Sequence, residues 1–363
     1  MEYLGKRILD KGTKEEFEAL AVDAPDETVY KKILKNWDGI AKPLDGMGRF
    51  EGITAQIGAI LGTEDISLSK KAVIIMCADN GVVEEGVSQT GQEVTLAVAK
   101  EMAQGFSSVG KMAAAIGADT IPVDIGINSE ERIEGVLDKK VRKGARNFYK
   151  EPAMTQQEAL RAVMAGMELV LDCKKKGYQI VATGEMGIGN TTTSSAVAAA
   201  LLHCRAQEVT GRGAGLCDEK LERKKQVIAE SVAKYGLYEA EPLTVLQTVG
   251  GLDIAGLAGV CIGGAVFHMP VVLDGVISMV AALLAERLIP GTARYLIPSH
   301  KGKEPAVEKL LKALGLKPVI HGDMALGEGT GAVMMLSLLD MALCIYQGKV
   351  SFSDIQVEQY ERF

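Results

Sequence analysis

No long run of basic residues occurs in this chain, and its net charge is −7. That argues against a nucleic-acid binder, which needs a cationic footprint. It leaves room for a small anionic ligand, because a few lysines and a helix N-terminus suffice to hold one. Six scattered cysteines (Cys77, Cys173, Cys204, Cys217, Cys261 and Cys344) form no CxxC pair and read as free thiols in a reducing cytoplasm. The four histidines, His203, His268, His300 and His321, lack a spacing such as HExxH, so no metal is expected. The N-terminal stretch MEYLGKRILDKGTKEEFEAL is charged and lacks the apolar core of a signal peptide. The windows 254–267 and 275–285 are the most apolar. Asp253, His268 and Asp274 interrupt them short of the ~18 residues of a span, so no membrane crossing is expected. Neither GxGxxG nor GxxxxGK[ST] occurs.

What is present is an ordinary globular balance, 47% apolar and 24% charged residues over 363 positions, enough for a large core. Residues 1–40 read as short amphipathic helices, and 42–51 as a loop entering a helix that runs to about residue 61. KKAVIIMCADNG (70–81) is a continuous apolar run, the pattern of a parallel strand buried on both faces, with a polar loop behind it. Helices follow over 91–105 and 108–117, then a strand over 119–127 and polar loop material over 128–155. A Thr cap, with Glu158 three residues later, opens a helix over 155–177. The strand 178–183 feeds the loop GEMGIGN, and a helix over 192–203 leaves it. A Gly-rich loop and helix (209–236), strands over 269–274 and 293–300, and a loop opening into a buried helix (321–346) complete the alternation. The expected fold is a three-layer α/β/α sandwich around a mostly parallel, Rossmann-like sheet, with its ligand site at the carboxyl ends of the strands. Residues 66–346 would form that unit. Residues 1–65 would form a small helical domain, completed by 347–363.

Three glycine clusters and one acidic loop carry the chemistry. Gly184–Gly189, on its own, serves either close packing or a phosphate cradle, and Thr191 and Thr192 bear hydroxyls suited to phosphate oxygens. GRGAG (211–215) is a turn or a second cradle, and Lys224 and Lys225 behind it are a solvated face unless a ligand recruits them. GEGTG (327–331) sets Glu328 between glycines before an apolar helix, as a helix-start acid or a general base in a dry pocket. Of Glu84 and Glu85, one is expected to be merely solvated.

The segments ADNGVVEEGVS, GEMGIGNTT, GRGAGL, VGGLDIAGLAG, PVVLDG, YLIPSH and LGEGTGA together resemble the nicotinate-nucleotide–dimethylbenzimidazole phosphoribosyltransferase family, from about residue 42 to 335. The resemblance implies phosphoribosyl transfer from nicotinate mononucleotide to a lower-ligand base of cobalamin, giving α-ribazole phosphate, by a homodimer without a cofactor. Carried over by position, Glu328 is the general base and Glu185 a second acid near the reacting centre. Gly187, Asn190, Thr191 and Lys224 match the phosphate side, Asp274 and Ser299 the ribose or nicotinate end, and Ser88 and Gln92 the benzimidazole side. Three departures bear on the choice of base. The early motif KPxGSLGxLE reads KPLDGMGRFE, with Asp45, Gly46 and Met47; Asn80 replaces a common His; Gly91 replaces a proline. Adenine, benzimidazoles and phenols remain open as acceptors. A nucleotide-dependent oxidoreductase would require GxGxxG, and a non-catalytic subunit would have lost Glu328 or Glu185.

Overall fold

The structure is a computed structural model that describes residues 15, 17 and 19–362. Positions 1–14, 16, 18 and 363, and with them part of the helices expected over 1–40, lie outside the described residues. Six parallel strands make one sheet: β1 (Lys71–Ala78), β2 (Asp119–Gly126), β3 (Leu137–Asp138), β4 (Ile180–Met186), β5 (Val271–Leu273) and β6 (Leu296–Pro298). Their order is β3-β2-β1-β4-β5-β6. The chain therefore winds outward in both directions from β1 and β4, and the switch between these two strands opens a crevice at their carboxyl ends.

β1 is buried along its whole length, as its unbroken apolar run requires. Its side chains alternate between two cores. Ile74 and Met76 join Val123, Val181 and Val271 in a core roofed by helices Gln156–Lys175, Asn190–Leu201, Leu252–Val266 and Val276–Leu288. Val73, Ile75 and Cys77 face the opposite core with Ala182, Val272 and Ile297, under helices Ser108–Ala115 and Thr330–Gly348. This is the expected three-layer α/β/α sandwich.

The N-terminal helices Glu27–Asp38 and Arg49–Leu61 share the second core. Trp37 donates to Thr54 Oγ1 at 2.8 Å and packs its ring 5.2 Å from that of Tyr346, at the end of helix Thr330–Gly348. The C-terminal segment returns to the same helices: Ala41 N–H donates to the Val350 carbonyl at 2.8 Å, and Arg362 pairs with Asp38 and Asp45.

Local signals explain most boundaries. Helix Gln156–Lys175 starts with a reciprocal cap, Thr155 Oγ1 accepting from Glu158 N–H at 3.2 Å and Glu158 Oε2 from Thr155 N–H at 2.7 Å. β4 runs three residues beyond the expected 178–183, because Gly184–Met186 pair with Ile75–Cys77 of β1. Glu185 thus stands on the end of a strand and not in a loop. The two-residue edge strand β3 falls in the stretch expected as loop; its residues are exposed and carry no pattern of their own. Helix Ala306–Leu314 is an element the sequence reading did not separate.

One described helix, Thr330–Gly348, is long and apolar enough to cross a membrane by length and composition, although the sequence reading placed its most apolar windows elsewhere. Half of its apolar window is buried inside the fold, which is the placement of a core helix.

Glycine lets the two central helices of the first core touch. A side chain on Gly166 would collide with the Gly256 carbonyl, and one on Gly259 with the Val163 carbonyl. Helix Gln156–Lys175 therefore lies backbone to backbone on Leu252–Val266, the close packing expected of Gly- and Ala-rich helices. Gly259→Ala is expected to destabilise the fold by about 1–3 kcal/mol or more, because backbone atoms cannot yield to an added methyl. Denaturant melts of the variant check this, and an unchanged midpoint contradicts the close approach.

Candidate active site

Beyond the carboxyl ends of β4, β5 and β6 lies a cavity of about 260 Å³. Its wall includes Glu185, Gly187, Asn190 and Thr191 from the β4 turn, Asp274 after β5, His300 and Glu304 after β6, and Glu328 from the loop before helix Thr330–Gly348. A larger open groove, about 690 Å³, lies between Tyr30, Arg49, Arg294 and Lys317. It holds no strand-end carboxylate and no glycine cradle, so the chemistry belongs to the smaller cavity.

Asp274 organises one side. Its Oδ2 accepts from Gly329 N–H at 3.2 Å, and its Oδ1 from Gly331 and Ala332 N–H at 2.9 and 3.2 Å. These are amides at the start of helix Thr330–Gly348, which otherwise lack partners. Burial pushes the Asp274 carboxyl above its ordinary value, against the pull of the neighbouring His300 and of these amides. The pinned loop crosses directly over β4: a side chain on Gly184 would collide with the Glu328 carbonyl. Three consecutive residues, Gly327, Glu328 and Gly329, take positive φ of 85°, 64° and 99°. Glu328 alone of the three has a side chain to strain there, at a cost on the order of 1–3 kcal/mol, which the surrounding loop must offset.

The Glu328 carboxylate reaches the start of helix Ser108–Ala115, where Oε2 accepts from Val109 N–H at 3.1 Å. Oε1 has no hydrogen bond among the described residues. The Gly327–Glu328 peptide lies against the Glu185 carboxylate and pulls its pKa down against burial, so the two acids meet through one stretch of backbone. Asn190 donates to Glu185, from the first turn of helix Asn190–Leu201. Its amide serves Asp253 as well, which Asn80 also contacts. Asp253 is fully buried, and among the described residues its Oδ2 lacks a hydrogen-bond partner, as does Asn80 Oδ1.

Burial first, then the charges of Asp253 and Asp274, push Glu185 up to about 8. Part of its side chain still faces the cavity, so this is enclosure by protein rather than complete loss of access. Burial likewise lifts Asp253 to about 7.

The opposite end of the cavity is cationic. Lys224 is fully buried; its Nζ donates to Thr191 Oγ1 at 2.8 Å and to the Gly211 carbonyl at 3.1 Å. Burial holds it down to about 8, with Glu304 opposing the fall. Lys225 instead pairs with Glu222 at 2.6 Å.

Glu185, Gly187, Asn190, Thr191, Asp274 and Glu328 therefore meet around one cavity, with Lys224 directly behind Thr191. Ser299 is buried behind His300, its Oγ 2.9 Å from His300 Nδ1. Ser88 and Gln92 lie outside the cavity wall: the Ser88 carbonyl accepts from Lys220 at 3.1 Å, and Gln92 bridges the Asn80 carbonyl and Asn128 at 3.3 and 2.8 Å. Asn80 is buried beneath the β4 turn and Asp45 is bound by Arg362, and none of the five residues that depart from the family pattern lines this cavity. Glu84 is exposed on Lys150, while Glu85 is nearly enclosed on Arg223. Sequence reasoning did not single out Asp253, His300 or Glu304; an acid two residues after Gly251, in the first turn of a helix, was the available signal for the first. Among the described residues, no group of three His, Cys, Asp or Glu is placed to hold a metal.

A family profile described as Phosphoribosyltransferase matches residues 22–357. Nicotinate-nucleotide–dimethylbenzimidazole phosphoribosyltransferase of Clostridium acetobutylicum is 42% identical over 94% of this chain and 97% of its own length. The protein of the same name from Acetivibrio thermocellus is 42% identical over 91% of this chain and 94% of its own. The crystal structure of CobT from Thermus thermophilus superposes with a TM-score of 0.87 at 36% identity, over 92% of this chain and 100% of that one.

A carboxyl that keeps its proton up to about pH 8 when folded, but releases it near the ordinary 4.5 when unfolded, makes the folded state bind more protons between those values. Stability then falls as pH rises through that window. Glu185→Gln removes this loss, so the variant should melt above the parent at pH 8, with the gap closing towards pH 4.5. Calorimetric melts across the window check it, and a gap independent of pH contradicts the raised value.

Proposed function

The chain belongs to the nicotinate-nucleotide–dimethylbenzimidazole phosphoribosyltransferase family, and from that premise we propose that it transfers the phosphoribosyl group of nicotinate mononucleotide to 5,6-dimethylbenzimidazole or a related lower-ligand base. Nicotinate is released and α-ribazole 5′-phosphate is formed. The observation that carries this reading is the polarity of one cavity: Glu185 and Glu328 are joined at one end, and Lys224 and Thr191 are paired at the other.

The steps follow from the chemistry of the substrates. Nicotinate in the nucleotide is already cationic at its ring nitrogen and leaves C1′ readily. A benzimidazole nitrogen attacks from the opposite face, which inverts the β-linkage to α. The proton on the second benzimidazole nitrogen must then go to a base. In our reading Glu328 takes it, with Oε2 steadied by Val109 N–H and Oε1 open. Glu185, enclosed and biased towards its protonated form, lies beside the reacting carbon and orients the ribose. Gly187, Asn190, Thr191 and Lys224 hold the phosphate. Asp274 and Ser299 serve the ribose or nicotinate end, Asp274 through the loop it pins. Ser88 and Gln92, which stand outside the wall of this cavity, are assigned to the incoming base on the family motif alone. A positioned base supplies ~10²–10⁴-fold, and alignment of two bound reactants up to about 7–11 kcal/mol. The same carboxylate would deprotonate a phenol, so adenine, benzimidazoles and phenols belong in the acceptor panel.

We assign the protein to the cytoplasm on its free thiols and propose a homodimer. Met334, Met341 and Ile345 lie exposed on one helix and support an apolar interface, for which light scattering is the check.

Incubation with nicotinate mononucleotide and the acceptor panel should give free nicotinate and an α-riboside phosphate on chromatography. Glu328→Gln should lose about 10²–10⁴-fold in kcat with KM for the mononucleotide nearly unchanged. No product with any acceptor would defeat the transfer, and near-normal turnover of the variant would defeat Glu328 as the base.

A further inference from the structure

Glu304 stands at the cationic end of the cavity, on the turn between β6 and helix Ala306–Leu314. Its Oε1 accepts from Gly213 N–H at 3.0 Å. Its carboxylate fills the space beside Gly211, where any side chain would collide with it. Its charge also pulls the buried Lys224 ammonium back up against desolvation. The hydrogen-bond partners of Lys224 are otherwise neutral, the Thr191 hydroxyl and the Gly211 carbonyl. A glycine N–H thus meets a carboxylate that the chain itself supplies, with the buried ammonium held close by on Thr191 and the Gly211 carbonyl. A carboxylate and a phosphate recognise the same donors, and a phosphate brings more charge and more acceptor oxygens to them. The cavity, about 260 Å³, is smaller than the ~300–1,000 Å³ common for ligand pockets, and Glu304 is part of what fills it.

We propose that Glu304 is an internal counter-anion: it occupies the phosphate end of the empty site and gives way to the 5′-phosphate of the incoming nucleotide, thereby setting how tightly phosphate-bearing substrates bind. This rests on the reading of the Gly187–Thr191 turn and Lys224 as the phosphate side. The half-exposed position of Glu304, between Gly302 and the start of helix Ala306–Leu314, lets it withdraw without disturbing the core. A riboside without phosphate cannot replace the carboxylate on its donors. The device therefore discriminates between nucleotide and nucleoside, a choice that the acids at the other end of the cavity do not make.

The test compares the parent with Glu304→Gln and Glu304→Ala, using inorganic phosphate as a competitive probe and nicotinate mononucleotide and its riboside as substrates. Assays at about pH 6.5 lie below the value of about 8 to which burial holds Lys224 in the parent. Melting curves establish that the variants fold. Both variants should show a KM for the mononucleotide and an inhibition constant for phosphate about two- to fivefold lower than the parent, the range a half-exposed charge supports. The KM for the base and the response to the riboside should not move. Gln keeps an acceptor for Gly213 N–H, so a purely structural tether would leave Gln like the parent and only Ala impaired; that result overturns the proposal. A mononucleotide KM that stays or rises in both variants overturns it as well. If phosphate inhibits none of the three while mononucleotide turnover persists, the phosphate side lies elsewhere, and the proposal falls while the transfer reaction stands.

Discussion

The grip of the Asp274 carboxylate on the first amides of helix Thr330–Gly348 is the constraint on which the site depends. It ties the end of β5 to the helix that covers the other face of the sheet. The connecting loop is thereby forced across β4, so close that only glycine fits at position 184. Glu328 must take a left-handed backbone conformation there, and its peptide comes to rest on Glu185. This anchor brings together two acids from elements 143 positions apart in sequence. Buried carboxylates at helix starts are common structural devices. This one also aims a second carboxylate.

The charge layout follows the same logic. Three carboxyls, Glu185, Asp253 and Asp274, are enclosed together, and burial pushes each towards its neutral form. The neutral amides of Asn190 and Asn80 keep the first two apart. At the other end, burial weakens the charge of Lys224, and Glu304 opposes that fall. The two ends of the cavity thus differ in character, acids at one and the Lys224–Thr191 pair with Glu304 at the other, and a cationic leaving ring and an anionic phosphate match them.

How much of this was legible in the sequence depends on whether the signal was local. The run KKAVIIMCADNG betrays β1 because a strand buried on both faces has no polar register. The Thr155 cap is legible because both partners lie within four residues. Six acidic, polar and glycine residues of the expected site do converge: five stand at or after the carboxyl end of β4 or β5, and Glu328 joins them on the loop that Asp274 pins across β4. Glu185 was read as a loop residue since strand pairing with β1, a long-range contact, decides where β4 stops. Lys224 looks like half of a solvated pair until the fold buries it and leaves Lys225 outside. Asn80 stands in a motif, but its side chain serves Asp253 and the β4 turn and not the cavity. Glu304 carries no pattern at all; its partners lie about ninety positions away, and only the folded chain brings them together.

The most direct measurement is a crystal structure of the protein with nicotinate mononucleotide bound. The account predicts the anomeric carbon between the carboxylates of Glu185 and Glu328, and the phosphate against Gly187, Thr191 and Lys224. A nucleotide whose anomeric carbon lies far from both acids would contradict it.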